Sequence, residues 1–429
     1  MLPTPVSSRR TALLISRFFP PGFQIGGKRA YRFARYLPQF GWRPVVWTVA
    51  DDQMGRVDPT ALKVPAPAIV EPTLMPHWWP EAPSRRQAGG KEPGTPTHAK
   101  FGWRRRLRRQ FTVPVGDELF LIPFMRQRID AIMRTHKPDV VYATAAPYWT
   151  LPLALTVAHR YDLPLCFDLR DPWSFQFLQV HKAPWVRWAE RHAERYYLNR
   201  ADRIVFTSED TTARYRTLYP KLAERMATIT NAYDPGQAPA HDPVRPSDLQ
   251  GRKLLVHFGN CYGPRNLRPI IEAIDRLDPA IKESVVLLNL GQPSREDIAL
   301  AERLGVDFRI ESFVPLAEGL ALLAAADAQI LMPLDEWAVP GKTYDYLLTR
   351  APILLVDGND HTTRIVTESG AGLASGPDNV HEILKQLLSG AFGPRREDIV
   401  EQYSAASTSA QLAQLFDRLV DERLNASKS

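Results

Sequence analysis

Short apolar runs alternate with amphipathic stretches along most of the chain. An apolar run of strand length predicts a buried strand, and a longer stretch with apolar residues three and four positions apart predicts a helix. In the first half, helices are predicted at 27–40, around 151–159 and around 186–198. Strands are predicted at 11–16, 45–48, 140–143, 165–168 and 204–207. Repeated strand–helix–strand units favour a parallel, doubly wound sheet.

The pattern stops after Asp234-Pro235-Gly236 and restarts beyond a polar, proline-bearing run. The first helix of the second half is predicted at 267–277, and its strands at 254–258, 285–290, 308–310, 328–332 and 353–356. We therefore predict two doubly wound domains. Their bounds are 1–234 for the N-terminal domain, 235–252 for a linker, 253–405 for the C-terminal domain, and 406–429 for a C-terminal helix that could pack back on the N-terminal domain. Residues 51–112, rich in Pro, Gly and Arg, are predicted to be a long basic loop.

Composition narrows the class of protein. With 44% hydrophobic and 24% charged residues, the chain is typical of a globular protein and unlike a disordered or fibrous one. The net charge of +7 favours acidic partners without choosing among nucleotides, phosphates and an anionic membrane. Cys166 and Cys261 are too far apart in sequence to form a disulfide framework or zinc site, and we expect them to pack as small apolar residues in a reducing compartment. No signal peptide or membrane span is recognised, which predicts a cytoplasmic protein.

Three loops between predicted strands and helices carry candidate chemistry, because ligands of open α/β sheets bind beyond the carboxyl ends of the strands. The loop 258–266 offers Gly259 and Arg265, which suits a diphosphate or forms a plain turn with a surface arginine. The loop 339–346 places Lys342 at a helix start, where the dipole disfavours a cation unless an anion is bound. One turn later, Asp345 could accept hydrogen bonds from ribose hydroxyls or merely balance the dipole. The third loop, with Gly26 and Gly27, is similar to a phosphate cradle but lacks a G-x-G-x-x-G fingerprint.

Other catalytic signatures are missing from the sequence. It contains no G-x-x-x-x-G-K-[ST] loop, no H-E-x-x-H helix and no G-x-S-x-G elbow. No Asp-x-Asp pair is placed to hold a divalent ion, and the ten histidines are scattered. We therefore predict no metal site.

The order of the motifs along the chain resembles the retaining, metal-independent glycosyltransferases of the GT-B fold. The family is the large one that includes bacterial lipopolysaccharide and exopolysaccharide glycosyltransferases, and the Arg-Asp-Pro-Trp loop is similar to one of its branches. The motifs that carry the resemblance are Phe19-Pro20-Pro21 with Gly26-Gly27, Lys137-Pro138-Asp139-Val140-Val141, Phe167-Asp168-Leu169-Arg170-Asp171-Pro172-Trp173, Ala201-Asp202-Arg203-Ile204-Val205, Thr230-Asn231-Ala232-Tyr233-Asp234, Gly259 with Arg265-Asn266, and Pro340-Gly341-Lys342 with Asp345-Tyr346-Leu347.

This resemblance implies two Rossmann-like domains that face each other across a cleft, with a nucleotide sugar bound by the C-terminal one. Arg265 and Lys342 would neutralise the diphosphate, and Asp345 would hold the ribose. The other implied donor contacts are the base near Phe313 and Val314, the backbone of Gly259, Gly341 and Thr343, and Gly26 and Gly27 from the N-terminal domain. The implied nucleotide is UDP, with GDP as the alternative, and no further cofactor is expected.

Two departures from the family pattern concern the sugar. The family commonly has two glutamates separated by seven residues. In this chain the second is Asp345, and Trp337 occupies the first position, directly after Asp335 and Glu336. Many members carry a histidine where this chain has Arg170 and Asp171. Asp171 is thus a candidate for contacting the donor sugar or the acceptor, and the alternative is an ion pair with Arg170 or a helix cap.

The resulting prediction is a retaining hexosyltransferase of polysaccharide or lipopolysaccharide biosynthesis, acting on a glycan, lipid-linked or other acceptor. A GT-B-fold sugar-nucleotide epimerase would share the donor pocket, and a non-catalytic basic protein that binds lipid or nucleic acid would lack it. Residues 100–111 combine six cations with three aromatics, which suits either a solvated helix face or an anionic membrane reached together with Trp78-Trp79. Binding of these residues to an anionic membrane would place the protein at the inner face of the membrane. No nucleic-acid partner is expected, because no recognition fold is present.

Overall fold

The computed structural model describes residues 10–20, 26–50, 67–74, 115, 117–175, 183–239, 245–262, 265–312, 314–333 and 339–426. The chain divides into two compact units. The N-terminal unit comprises Met1–Thr230 together with Ala405–Ser429, and the C-terminal unit comprises Asn231–Ser404.

The N-terminal unit is built on a parallel seven-stranded sheet of order β3-β2-β1-β4-β5-β6-β7. The strands are β1 (Arg10–Ile15), β2 (Trp42–Val49), β3 (Ile69–Thr73), β4 (Val140–Ala145), β5 (Leu165–Leu169), β6 (Arg203–Phe206) and β7 (Met226–Thr228). The helices are α1 (Gly27–Tyr36), α2 (Ile122–His136), α3 (Thr150–Tyr161), α4 (Pro184–Leu198), α5 (Glu209–Leu218) and, after the C-terminal unit, α14 (Ala405–Ala426). Short 3-10 turns lie at Leu37–Phe40, Asp117–Leu121 and Pro220–Arg225.

Helices cover both faces of this sheet, which is why its strands are apolar without alternation. In β1, Leu13 and Ile15 belong to one core cluster, whereas Ala12 and Leu14 belong to the cluster on the other face. The helix α14 completes the second cluster, where Phe416 packs edge-on against Trp42 at 5.2 Å. Residues far apart in sequence therefore share one core.

The C-terminal unit is built on a parallel six-stranded sheet of order β10-β9-β8-β11-β12-β13. Its strands are β8 (Lys253–Phe258), β9 (Val285–Leu290), β10 (Phe308–Glu311), β11 (Ala328–Leu331), β12 (Ile353–Val356) and β13 (Gly372–Ser375). Its helices are α6 (Arg268–Asp275), α7 (Pro279–Ser284), α8 (Arg295–Leu304), α9 (Leu316–Ala324), α10 (Gly341–Thr349), α11 (Asp360–Glu368), α12 (Val380–Leu388) and α13 (Glu397–Glu401). Two 3-10 turns lie at Pro235–Gln237 and Ser247–Leu249, within the predicted linker.

The predicted fold class is confirmed, since each unit has a parallel sheet with interleaved helices. One prediction needs correction, because β3 lies inside the stretch that was predicted to be a loop. Its Pro72 disfavours a strand in general but is tolerated in β3, which is the edge strand of its sheet. The basic segment 100–111 and Trp78-Trp79 lie outside the described residues.

Two further observations concern the cysteines and the helices. Cys166 is buried, Cys261 is partly buried, and both are free thiols. Among the helices that the structure describes, none combines the length and the apolar character needed to cross a membrane.

Candidate functional site

The candidate site of the C-terminal unit begins at the turn that follows β8. Gly259 has a φ of +146°, a conformation that L side chains rarely adopt. Its N–H donates to the carbonyl of Leu290 at 2.8 Å, at the end of the neighbouring strand β9. Cys261 then donates its N–H to the carbonyl of Gln292, also at 2.8 Å. These bonds fix the turn against the carboxyl edge of the sheet.

Lys342 reaches this turn from the start of α10. Its Nζ lies 3.1 Å from Nε2 of His257 and 3.4 Å from the carbonyl oxygen of Phe258. A Cβ placed on Gly259 would lie 3.1 Å from the same Nζ. The helix itself starts after Pro340, without a side-chain cap and without an acidic residue in its first turn. The positive end of its dipole therefore adds to the charge of Lys342.

The electrostatic environment of Lys342 disfavours its charged form. Burial and, secondly, the charge of Arg265 lower the pKa of Lys342 to about 7. His257 is affected in the same way, since burial and the charge of Lys342 hold the pKa of His257 well below its usual range. A partly buried ammonium beside a second cation is a site that an anion would stabilise.

Arg265 contacts the chain just beyond β11, the strand that neighbours β8 on the side away from β9. Its Nε donates to the carbonyl of Met332 at 2.9 Å, just beyond β11. The guanidinium lies 5.5 Å from the ring centroid of Tyr262, which is exposed. Among the residues that the structure describes, the terminal guanidinium nitrogens of Arg265 have no hydrogen-bond partner, so they could donate to a ligand. The structure thus brings together Gly259, Arg265 and Lys342.

The remaining predicted donor contacts lie on α10 or near it. Gly341 is exposed at the first position of α10, and Thr343 is completely buried with no hydrogen-bond partner for its Oγ1 among the described residues. Asp345 is partly buried one turn into the helix. Val314 follows β10 and packs against the core of the unit. Phe313 and residues 335–337 lie outside the described residues.

Gly26, Gly27 and Asp171 belong to the N-terminal unit, where Arg170 links two of them. Arg170 Nη1 donates to the carbonyl of Gly26 at 2.5 Å, and Nη2 donates to the carbonyl of Ala146 at 2.9 Å. Its Nε lies 3.6 Å from Oδ2 of Asp171, whose side chain is 43% exposed. Asp171 therefore makes the ion pair considered from the sequence while remaining accessible. The three residues lie at the carboxyl edge of the seven-stranded sheet.

Sequence reasoning missed two buried polar groups that support these edges. In the C-terminal unit, His257 and Asn289 are fully buried neighbours on β8 and β9. In the N-terminal unit, Arg29 of α1 forms a buried ion pair with Asp168 of β5 at 2.7 Å. The available signal was a polar residue inside an apolar strand, as in Leu254–Phe258 and Leu165–Leu169.

Arg29 also fixes the last residues of the N-terminal unit before the chain passes to the C-terminal unit. It donates to the carbonyl of Ile229 at 2.8 Å and to that of Thr230 at 2.7 Å. Tyr142 donates its hydroxyl to Oδ2 of Asp168, the oxygen that also accepts from Nε of Arg29. The buried carboxylate of Asp168, together with Arg29, therefore connects α1, β4 and the last residues before the C-terminal unit.

Within the described ranges, no group of three or more His, Cys, Asp or Glu side chains is placed to hold a metal ion.

Comparison with known proteins gives one family match. The model of Glycosyltransferase Family 4 matches residues 26–237, just under half of the chain. No curated protein matches the sequence.

Solved structures with the same fold match over nearly the whole chain. Sucrose-phosphate synthase from Thermosynechococcus elongatus superposes with a TM-score of 0.59 at 11% identity, covering 98% of both chains. WaaG, a glycosyltransferase involved in lipopolysaccharide biosynthesis, gives 0.51 at 16% identity, covering 96% of this chain and 98% of its own. HepE from Anabaena, solved with UDP and glucose, gives 0.52 at 15% identity, covering 98% and 99%.

At these identities the structural likeness establishes the fold, which is that of the GT-B glycosyltransferases. The family match adds a class of activity to that fold. Residues 26–237 thus match Glycosyltransferase Family 4, and a glycosyltransferase is the class of enzyme that the match and the fold together support.

Proposed function

We propose that this protein transfers a hexose from a nucleotide-diphosphate sugar to the hydroxyl of a glycan or lipid-linked acceptor, with retention of anomeric configuration. The observation that carries the proposal is the pair of partly buried cations, Lys342 and Arg265, at the carboxyl edge of the C-terminal sheet. Lys342 lies within 3.4 Å of the turn backbone, and Arg265 acts on it electrostatically as a like charge. A diphosphate would relieve that repulsion.

The same two cations would supply the chemistry. During transfer, the bond between the anomeric carbon and the diphosphate oxygen breaks, and negative charge develops on the leaving group. Arg265, Lys342 and the N-terminus of α10 are preorganised to stabilise that charge. A new bond then forms to the acceptor oxygen on the same face of the sugar, and the acceptor proton passes to the departing diphosphate. Because the chain itself provides the charge compensation, we propose that the reaction does not require a metal ion.

Further donor contacts are proposed for the other residues of the site. Asp345 would accept hydrogen bonds from the ribose hydroxyls, and Val314 together with Phe313 would lie near the base. Gly341 and Thr343 would offer backbone N–H groups at the start of α10. In the N-terminal unit, Gly26 and Gly27 would approach the phosphate or sugar, and Asp171 would contact the sugar or the acceptor.

Calorimetry with UDP, GDP, ADP and dTDP, and with their glucose or mannose conjugates, tests the donor. Binding is expected in EDTA for one nucleotide class, and UDP is the first candidate because HepE of the same fold was solved with UDP. Lys342→Ala should weaken binding by at least tenfold, since a charge-assisted bond to phosphate contributes about 1.5–3 kcal/mol. Arg268→Ala, which removes an exposed surface arginine, is the matched control. Absence of binding by any of these nucleotides would refute the proposal.

Product analysis separates transfer from epimerisation. With the bound nucleotide sugar and a mixture of membrane-derived lipid and glycan acceptors, NMR of the anomeric proton should show the configuration of the donor in a larger product. Conversion of the nucleotide sugar into its epimer without an acceptor would favour an epimerase instead.

A lipid-linked acceptor is favoured by the outward face of α4. Trp185, Trp188 and Tyr196 are 51%, 59% and 49% exposed on this helix. The exposed cations Arg187, Arg191 and Arg195 flank them, whereas both carboxylates of the helix, Glu190 and Glu194, are buried. Aromatic side chains beside a row of cations on the exposed face of a helix suit the interface of an anionic membrane.

Vesicle flotation tests this membrane surface. The protein should float with phosphatidylglycerol vesicles and not with phosphatidylcholine vesicles at low salt. The double variant Trp185→Ser, Trp188→Ser should lose most of that binding without a change in melting temperature. Phe120→Ser, which removes a 74% exposed aromatic elsewhere in the unit, is the control. Equal flotation of the double variant and the wild type would exclude α4 as the membrane surface.

A further inference from the structure

Behind Lys342, in the C-terminal unit, lies a buried relay of hydrogen bonds. Nδ1 of His257 lies 2.7 Å from Oδ1 of Asn289, and Nδ2 of Asn289 donates to the carbonyl of Gly291 at 2.8 Å. Nε2 of His257 lies 3.1 Å from Nζ of Lys342. The relay therefore runs from the end of β9, through two fully buried side chains, to the candidate phosphate site.

The direction of each hydrogen bond follows from the one between Asn289 and Gly291. A backbone carbonyl can only accept, so the amide nitrogen of Asn289 must face Gly291 and the amide oxygen must face His257. Nδ1 of His257 then carries the proton, and Nε2 presents a lone pair. Lys342 is the donor of the last bond.

The charges around His257 favour this neutral tautomer. Lys342 and Arg265 face it from α10 and from the turn after β8, and the thiol of Cys261 lies 4.0 Å from Nδ1. Protonation would place an imidazolium next to two cations. His257 thus remains an acceptor for the ammonium group and does not compete with it for an anion.

We infer that Asn289 and His257 are positioning residues, which hold the ammonium of Lys342 against the Gly259 turn by fixing the imidazole in its Nδ1-protonated form. The inference rests on the proposed function, because it assumes that Lys342 binds the diphosphate. Neither residue touches the ligand itself. Their role is to give the long, flexible lysine side chain one orientation before the nucleotide arrives.

NMR of the full chain labelled with ¹⁵N-histidine identifies the tautomer of His257 in the absence of any ligand. We expect a neutral His257 with its proton on Nδ1 from pH 6 to pH 8, assigned by its disappearance in His257→Gln. A proton on Nε2, or an imidazolium at pH 7, would overturn the inference.

Calorimetry with UDP measures how much His257 contributes to nucleotide affinity. His257→Leu should weaken UDP binding by about tenfold or more, because the ammonium loses a charge-assisted acceptor. His257→Gln keeps an acceptor at the end of the side chain and should recover part of the affinity. His381→Leu is the matched control, since His381 on α12 bonds to the carbonyl of Ala273 on α6 and not to Lys342, and it should change affinity by less than twofold. Unchanged affinity in folded His257→Leu would overturn the inference.

Asn289→Asp tests the same hydrogen bonds in case His257→Leu does not fold, because it preserves the size of the side chain. The carboxylate would favour an imidazolium. Its Nε2–H would then repel Lys342, and UDP affinity should fall although packing is preserved. Wild-type affinity in folded Asn289→Asp would contradict the relay.

Chemical labelling separates this inference from the proposed function. Competitive acetylation of Lys342, followed by mass spectrometry across pH, measures the pKa of Lys342 in the unliganded protein. The pKa should fall in His257→Leu and not in His381→Leu. If wild-type protein bound no nucleotide, the proposed function would fail, and the tautomer and the lysine pKa would still decide the relay.

Discussion

Nucleotide binding should be linked to uptake of a proton by Lys342. In the unliganded protein, burial and the charge of Arg265 lower the pKa of Lys342 to about 7. A bound diphosphate would place negative charge beside the ammonium and raise that pKa toward its ordinary value. Since the pKa is higher in the complex than in the free protein, affinity should be greatest below pH 7 and should decline as the pH rises above 7.

The size of the effect follows from the same pKa. At pH 8 only about a tenth of the unliganded protein carries a charged Lys342, so binding should take up about 0.9 proton and lose about 1.4 kcal/mol relative to low pH. At pH 6 the lysine is already about nine-tenths charged, and the uptake should fall to about 0.1 proton. Between pH 7.5 and 8.5 the dissociation constant should rise about eightfold.

Calorimetry in buffers of different ionisation enthalpy measures this uptake directly. UDP-glucose is the suitable probe, because its diphosphate is esterified at both ends and does not titrate near neutral pH, whereas a terminal phosphate does. Lys342→Arg remains charged throughout and should bind without proton uptake. Measurable binding with no proton uptake at pH 8, and with equal affinity at pH 6.5 and 8.5, would refute the electrostatic reasoning.

Three further predictions concern stability and backbone geometry. Asp168→Asn leaves the buried Arg29 without its charge partner and should lower the free energy of unfolding by about 3–5 kcal/mol in urea denaturation; a loss under 1 kcal/mol would show that the pair is not structural. Gly259→Ala forces a Cβ toward Nζ of Lys342 at a φ of +146°, so UDP affinity should fall while an alanine at the uncrowded Gly393 has no effect. Phe416→Ala empties a buried site beside Trp42 and should cost about 3–5 kcal/mol, whereas the exposed Leu424→Ala should cost less than 0.5 kcal/mol.

The sequence predicted the strands that are buried on both faces. The predicted bounds of β9 and β12 agree with the structure, because β12 is an uninterrupted apolar run and β9 is interrupted only by Asn289. Three strands were not predicted, and each has a weak local signal. β3 contains Pro72, β7 has only three residues, and β13 begins with a glycine. Their existence depends on neighbouring strands that supply hydrogen-bond partners, which a local pattern does not contain.

The candidate site was predictable only in part. Lys342 was identified because a cation at a helix start conflicts with the dipole, which is a local conflict visible in sequence. The hydrogen bond between His257 and Asn289 was not predicted, because the two residues are 32 positions apart and meet only through the register of β8 and β9. Arg170 and Gly26 likewise meet across 144 positions. Chemistry that depends on tertiary contacts therefore had to await the structure.

The return of α14 to the N-terminal unit has a consequence for synthesis. Phe416 and Leu412 fill a core whose members outside α14 were made more than 180 residues earlier, so that core stays open while the C-terminal unit emerges from the ribosome. The C-terminal unit is contiguous and can fold as soon as it is released, whereas the N-terminal unit closes last. The apolar surface that α14 covers is exposed for the whole interval, which makes the N-terminal unit the one more prone to aggregate during translation.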